Sequence, residues 1–163
     1  MDDFWLALRL LLLLTVANNG PIAAKLLLRA RWDRPIDGGV LFRDGRPLLG
    51  HSKTWRGLAS AVLLSALLAP VLGFSAAIGA LTGALSMVGD ALASFTKRRL
   101  GVPTSGRSFG LDQLPEAVLP LLVLHEPLQL SWPLITGVAV AFLLLETPAA
   151  RLAHRLGWRD TPH

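Results

Sequence analysis

Apolar residues run along this chain in long blocks, and the polar side chains gather in the gaps between them. From Gly57 to Phe95, 39 residues carry one ionisable side chain, Asp90. A membrane-spanning helix takes roughly 20 apolar residues, so this stretch predicts two spans. Pro70 and Gly73 punctuate it. The first of the two is expected from Gly57 through Ala69 and a few residues beyond, and the second from Phe74 to Phe95. Phe4 to Leu28 predicts another span, with Asn18-Asn19-Gly20-Pro21 inside it. Its acidic start, Met1-Asp2-Asp3, lacks the basic region that opens a secretory signal. Leu114 to Leu124 is apolar but short and carries Pro115 and Pro120; it reads as a span whose start is sunk into the protein, facing a wet cavity. Pro133 to Ala150 is the last span, with Glu146 near its end.

Composition supports this reading. Of 163 residues, 52% are hydrophobic and only 17% charged, too little charge to cover a soluble domain of this size. With no cysteine, disulfides, thiol catalysis and Cys-ligated zinc are excluded. No repeat or separate soluble domain is visible, so residues 1–163 are expected to form a single membrane-embedded domain.

The formal charge of +5 could suggest a nucleic-acid partner, but its placement argues otherwise. Arg29, Arg31, Arg34, Arg43, Arg46, Lys53 and Arg56 lie in one connection. Lys97, Arg98, Arg99 and Arg107 lie in a second, and Arg151, Arg155 and Arg159 in the tail. These are fourteen of the sixteen cations, all on alternate connections. The positive-inside rule then predicts an all-α integral membrane protein of five transmembrane helices. Its N-terminus is outside and its C-terminus inside, with two basic cytoplasmic loops. The excess charge needs no nucleic acid.

Ionisable and amide side chains at membrane depth are costly and are functional candidates by default. Asp90 ends a helix face of Gly79, Gly83 and Ser86, where small residues admit a second helix closely. Ser94, Lys97 and Arg98 follow it at i+4, i+7 and i+8. A carboxylate beside such cations suits a metal-bound polyphosphate; a plain ion pair and a stop-transfer cluster are the bland alternatives. Asp112 is either a helix N-cap or a second carboxylate facing Asp90, with Mg²⁺ between them. Gly50-His51-Ser52-Lys53-Thr54-Trp55-Arg56-Gly57 reads either as a phosphate loop or as a basic flank with an interfacial tryptophan; it is no Walker A motif. The amides at Asn18 and Asn19 predict a break in the first helix that lines a site.

Taken in order, these motifs resemble the CDP-archaeol synthase family, in its bacterial branch, itself related to CDP-diacylglycerol synthases. The matching segments are Asn19-Gly20-Pro21, Arg34-Pro35-Ile36-Asp37-Gly38-Gly39, Asp44-Gly45-Arg46-Pro47-Leu48-Leu49-Gly50, Ser52-Lys53-Thr54-Trp55-Arg56-Gly57, Gly89-Asp90, Ser94-Phe95-Thr96-Lys97-Arg98-Arg99 and Leu111-Asp112-Gln113-Leu114. The resemblance implies a cytoplasmic (inner) membrane enzyme with its active site at the cytoplasmic face. It would transfer CMP from CTP to a lipid phosphate, release pyrophosphate and require Mg²⁺. Asp90, Asp112, Lys97 and Lys53 are the implied catalytic residues, with Asp90 and Asp112 on the metal. Asn19, Asp37, Asp44 and Ser52 are expected to contact substrate, as are Arg56, Ser94, Arg98 and Gln113.

The chain departs from the family pattern at one place. Where archaeal members usually read Leu-Asp-Gln-Leu-Asp, Pro115 stands at the second Asp and Glu116 follows, so that either Glu116 supplies the missing carboxylate or the second metal ligand is lost. The rival readings are a CDP-alcohol phosphatidyltransferase, whose Asp-Gly-x-x-Ala-Arg run is absent, and a non-catalytic membrane scaffold or transporter subunit.

Overall fold

The computed structural model describes residues 3–29, 31–102 and 113–155. Six helices follow in order: α1 Asp3–Leu28, α2 Trp55–Leu68, α3 Ala76–Arg99, α4 Gln113–Val123, the short α5 His125–Leu128, and α6 Trp132–Arg155. Among the described residues extended pairing is limited to two isolated bridges, Pro35 with Thr54 and Leu41 with Pro47.

Local chemistry sets the ends. The Thr54 hydroxyl accepts from the Gly57 N–H at 3.1 Å and caps α2. Ser75 caps α3 the same way through Ile78 at 3.2 Å. Thr54 therefore serves the helix start, a structural task within the segment read as a phosphate loop.

Helix length sorts the five expected spans. At about 1.5 Å per residue, α1 and α3 reach about 39 and 36 Å, against a hydrocarbon core of about 30 Å. These two are long and apolar enough to cross. α2, with 14 residues, reaches only about 21 Å, and α4, with 11, about 17 Å. In α6 the apolar stretch is Trp132–Glu146.

Two kinds of packing hold the bundle together. Leu6, Leu10 and Leu14 of α1 meet Ala117 and Leu121 of α4, and Leu134, Ile135, Val138 and Phe142 of α6, in a core of large side chains. The seam between α2 and α3 is built from small residues instead. A Cβ at Gly79 would lie 2.2 Å from the Ser65 carbonyl oxygen, and one at Gly83 2.5 Å from that of Ala61. Small residues let the backbones approach closely, as the stepped face of α3 predicts.

α1 departs from expectation. Its helix runs unbroken through Asn18-Asn19-Gly20-Pro21, with Pro21 inside it. The Asn19 amide bonds back to the Thr15 carbonyl at 2.9 Å. Gly20 lies against the Ala61 backbone of α2, and Pro21 against Gly57. The motif is thus a packing notch between two helices, and this close contact holds the helix in register where the proline removes one backbone bond.

Candidate active site

The end of α1, the start of α2, the end of α3 and the start of α4 converge at one end of the molecule, where the connection 29–54 folds over them. That connection is ordered by its own side chains. Asp37 accepts from the backbone N–H groups of Gly39 at 3.0 Å, Leu49 at 2.9 Å and Gly50 at 3.2 Å. Burial works to raise its pKa, but these N–H groups together outweigh it and hold the carboxyl below its ordinary value. Around Gly45, whose φ of 74° suits glycine, the chain reverses tightly. Phe42 N donates to the Arg46 carbonyl at 2.8 Å across this turn.

A clasp docks the turn on α3. Arg99 pairs with Asp44 at 2.9 Å, donates to the Pro47 carbonyl at 2.7 Å, and lies over the Phe42 and Phe95 rings at 4.5 and 5.0 Å. Arg46 donates to the carbonyls of Arg98 and Arg99 at 3.1 and 3.0 Å, satisfying the end of α3. On the other side Arg56, 5% exposed, donates to the carbonyls of Arg29 and Arg31 and pairs with Asp33 at 2.8 Å. It thereby secures a turn in which Arg29 and Trp32 hold positive φ.

Asp37, Asp44 and Arg56, all expected at the substrates, thus also order the connection, through the loop's own peptide groups and counter-charges.

The folded connection delivers Lys53 to Asp90. The Lys53 ammonium donates to Asp90 Oδ2, with both side chains about four-fifths buried. Glu116 of α4 is 6% exposed, and its backbone nitrogen lies against Gly89, the neighbour of Asp90 on α3. The juxtaposition follows from Gly89: a Cβ there would lie 2.2 Å from the Pro115 carbonyl oxygen, so α4 rests directly on the α3 backbone. Glu146 of α6 is buried as well. Glu116 is the acid that follows the departure at Pro115, and Glu146 was not among the expected site residues. The signal for both was a lone acid in an otherwise apolar segment.

Other expected residues surround this point less directly. Ser94 and Arg98 are buried in the last turns of α3, and an Arg98 N–H donates to the Val102 carbonyl. Lys97 is half-buried, Gln113 is buried at the start of α4, Asn19 is half-buried on α1, and Ser52 is exposed beside Lys53. Asp112 and Arg107 lie outside the described residues. Among the described residues no cluster of three or more His, Cys, Asp or Glu side chains is arranged to hold a metal ion. Asp90 still offers hard carboxylate oxygens beside a cation. That chemistry suits Mg²⁺, which takes one or two protein carboxylates and completes its shell with water and phosphate.

A family model described as CDP-archaeol synthase, CarS-like, matches residues 6–77 and 69–163. The chain is 36% identical to the CDP-archaeol synthase of Thermococcus kodakarensis, over 79% of this chain and 82% of that protein. It is 38% identical to that of Hyperthermus butylicus, over 86% and 80% respectively. A solved structure of an intramembrane enzyme for archaeal membrane lipids biosynthesis superimposes with a TM-score of 0.70. Its identity is 31%, over 88% of this chain and 91% of that one.

Proposed function

The chain belongs to the CDP-archaeol synthase family, and from that premise we propose that it transfers CMP from CTP to a lipid phosphate at the end where Lys53 meets Asp90. It is an all-helical membrane enzyme, a CTP-dependent lipid cytidylyltransferase. That membership sets aside the scaffold reading. The observation that carries the placement of the site is the Lys53–Asp90 contact, made between groups 37 residues apart at the basic end of the bundle.

In the reaction a lipid phosphate oxygen attacks the α-phosphorus of CTP. The new P–O bond forms as the bond to the β-phosphate breaks, and pyrophosphate leaves with that electron pair. The attacking phosphate is already ionised at neutral pH, so the protein's task is positioning and charge neutralisation. Lys53 approaches the phosphates from the loop, and Lys97 and Arg98 from the end of α3. Ser52, Ser94, Gln113 and Asn19 line the approach to the substrates. Mg²⁺ would be held by Asp90 with Asp112, and it supplies neutralisation of the triphosphate when bound.

The whole chain forms one membrane-embedded domain in this reading. Five helices lie in the cytoplasmic membrane with the N-terminus out and the C-terminus in, and the site faces the cytoplasm. The alternate placement of fourteen cations supports that orientation. Purified protein with labelled CTP and Mg²⁺ should move label into lipid. A panel spanning di-ether and di-ester glycerol phosphates would identify the acceptor class. Absence of label in every lipid, with folded protein, would overturn the reading.

A further inference from the structure

Where α1 finishes and α2 starts, the chain braces one tryptophan in an uncommon conformation. Arg29 and Trp32 hold positive φ, 51° and 57°. Bulky side chains rarely adopt it, and it persists only where the surroundings over-determine it. Here they do. The buried Arg56 guanidinium donates to the carbonyls of Arg29 and Arg31 and pairs with Asp33, on both sides of Trp32. Trp55 N donates to the Arg34 carbonyl at 3.1 Å, which ties a second tryptophan to the same turn. Neither ring is buried by this: Trp32 is 80% exposed and Trp55 56%, with Leu27 at 83% on the last turn of α1. Arg29, Arg31 and Arg34 are exposed as well. In water, holding an apolar ring out in a strained turn gains nothing.

Two observations say what covers this face. The four described tryptophans are all more than half exposed, and they lie towards opposite ends of the bundle. Trp5 and Trp132 open α1 and α6, whose first turns enter one core through Leu6 and Leu134. The rise from Trp5 to Leu28 along α1 is about 35 Å, close to the hydrocarbon thickness of about 30 Å. Exposed indoles at both rims match the two headgroup levels of a bilayer. At the α1–α2 end they stand among three arginines, whose charge complements an anionic surface. We infer that the turn carrying Trp32, together with Trp55, is an anchor for anionic lipid. The indoles sit at headgroup level, and Arg29, Arg31 and Arg34 face the lipid phosphates. The anchor requires that the chain be embedded in a membrane and does not depend on CMP transfer, so a failed transfer assay leaves it standing.

The test uses full-length protein in vesicles of brominated phosphatidylcholine or brominated phosphatidylglycerol, which quench tryptophan on contact. The Trp32 signal is the difference between wild type and Trp32→Phe. Lipid should quench it, with phosphatidylglycerol preferred. A cation close to an anionic surface is worth about fivefold in affinity, so a preference of at least about fivefold is expected. Arg29→Gln with Arg31→Gln should bring that preference to within about twofold of parity. The Trp132 signal, obtained with Trp132→Phe, is the control and should be quenched equally by both lipids. If Trp32→Phe does not fold, the preference in total quenching, compared between wild type and the double arginine variant, reads the same contact. A Trp32 signal quenched by aqueous iodide and untouched by lipid would put the turn in solution and overturn the anchor. Equal quenching by the two lipids would overturn the anionic partner. Shielding from both, with cross-links between copies, would make this face an interface between two chains and overturn the proposal as well.

Discussion

Gly89→Ala asks how much of the reaction depends on the contact between α3 and α4. The added Cβ would lie 2.2 Å from the Pro115 carbonyl oxygen, 2.5 Å from its carbon and 2.8 Å from the Glu116 nitrogen. Ordinary contact begins at 3.4 Å, so the helices must part by about 1 Å. The obstacle is backbone, which cannot swing aside as a side-chain tip does. Overpacking costs about 1–3 kcal/mol. Replacing glycine by alanine in a helix returns about 1 kcal/mol, leaving a net cost of roughly 0–2 kcal/mol. The protein should therefore still fold. The same displacement moves Asp90 away from Glu116, and a 1 Å error in a reacting geometry costs about 10²-fold in rate, near 2.7 kcal/mol of barrier. Gly79→Ala is the control. Its Cβ would lie 2.2 Å from the Ser65 carbonyl oxygen, an equal clash, but eleven residues along α3 from Asp90, about 16 Å. The assay is initial-rate transfer of labelled CMP to lipid phosphate, with melting temperature measured on the same samples. Gly89→Ala should be folded and about 10²-fold slow, and Gly79→Ala comparably destabilised with activity within a few-fold of wild type. Equal activities in the two variants would refute the argument.

Lys53→Ala should weaken CTP binding about tenfold or more, since a charge-assisted contact is worth about 1.5–3 kcal/mol; unchanged CTP affinity in a folded variant would return the segment to its reading as a basic flank. Asp90→Asn and Asp112→Asn should each reduce transfer by orders of magnitude, and together by little more than either alone, because groups acting as a unit fail together. Near-normal transfer by Asp90→Asn at ordinary Mg²⁺ would make Asp90 an ion-pair partner only. Arg99→Lys should loosen the connection, losing the paired N–H groups and the stacking on Phe42 and Phe95. Asp44→Asn should cost only about 0.2–1 kcal/mol, because its side chain is more than a third exposed; proteolysis of the loop in native protein reads both. Cysteines introduced at Asp3 and Ser131 should react with an impermeant reagent on intact cells while one at Thr161 does not. Labelling of Thr161 in sealed cells would reverse the orientation.

Hydrophobic blocks and their punctuation placed α1, α2, α3, α4 and α6 to within about five residues, because burial in lipid or in a packed core selects apolar runs by composition, but only α1 and α3 are long and apolar enough to cross a membrane. Asp90 stood out for the same reason: one acid in 39 residues has no bland composition to hide in. Side-chain identity could not say where a charge is spent. Asp37, Asp44 and Arg56 look like ligand-binding groups in the sequence, yet their partners are backbone groups and counter-charges up to 55 residues away that exist only once the connection has folded. The helix break expected at Asn18 to Pro21 failed for a related reason. Proline removes one backbone bond of the helix, and here the packing of α2 at Gly20 and Pro21 accompanies a helix that stays continuous. Glu116 shows the division most sharply. Its sequence position is one residue past the family's second aspartate, and it is buried beside α3 because Gly89 lets the two backbones touch. Local periodicity records which face of a helix is apolar, but the register between helices is set by contacts distant in the chain, and that register decides which polar groups meet.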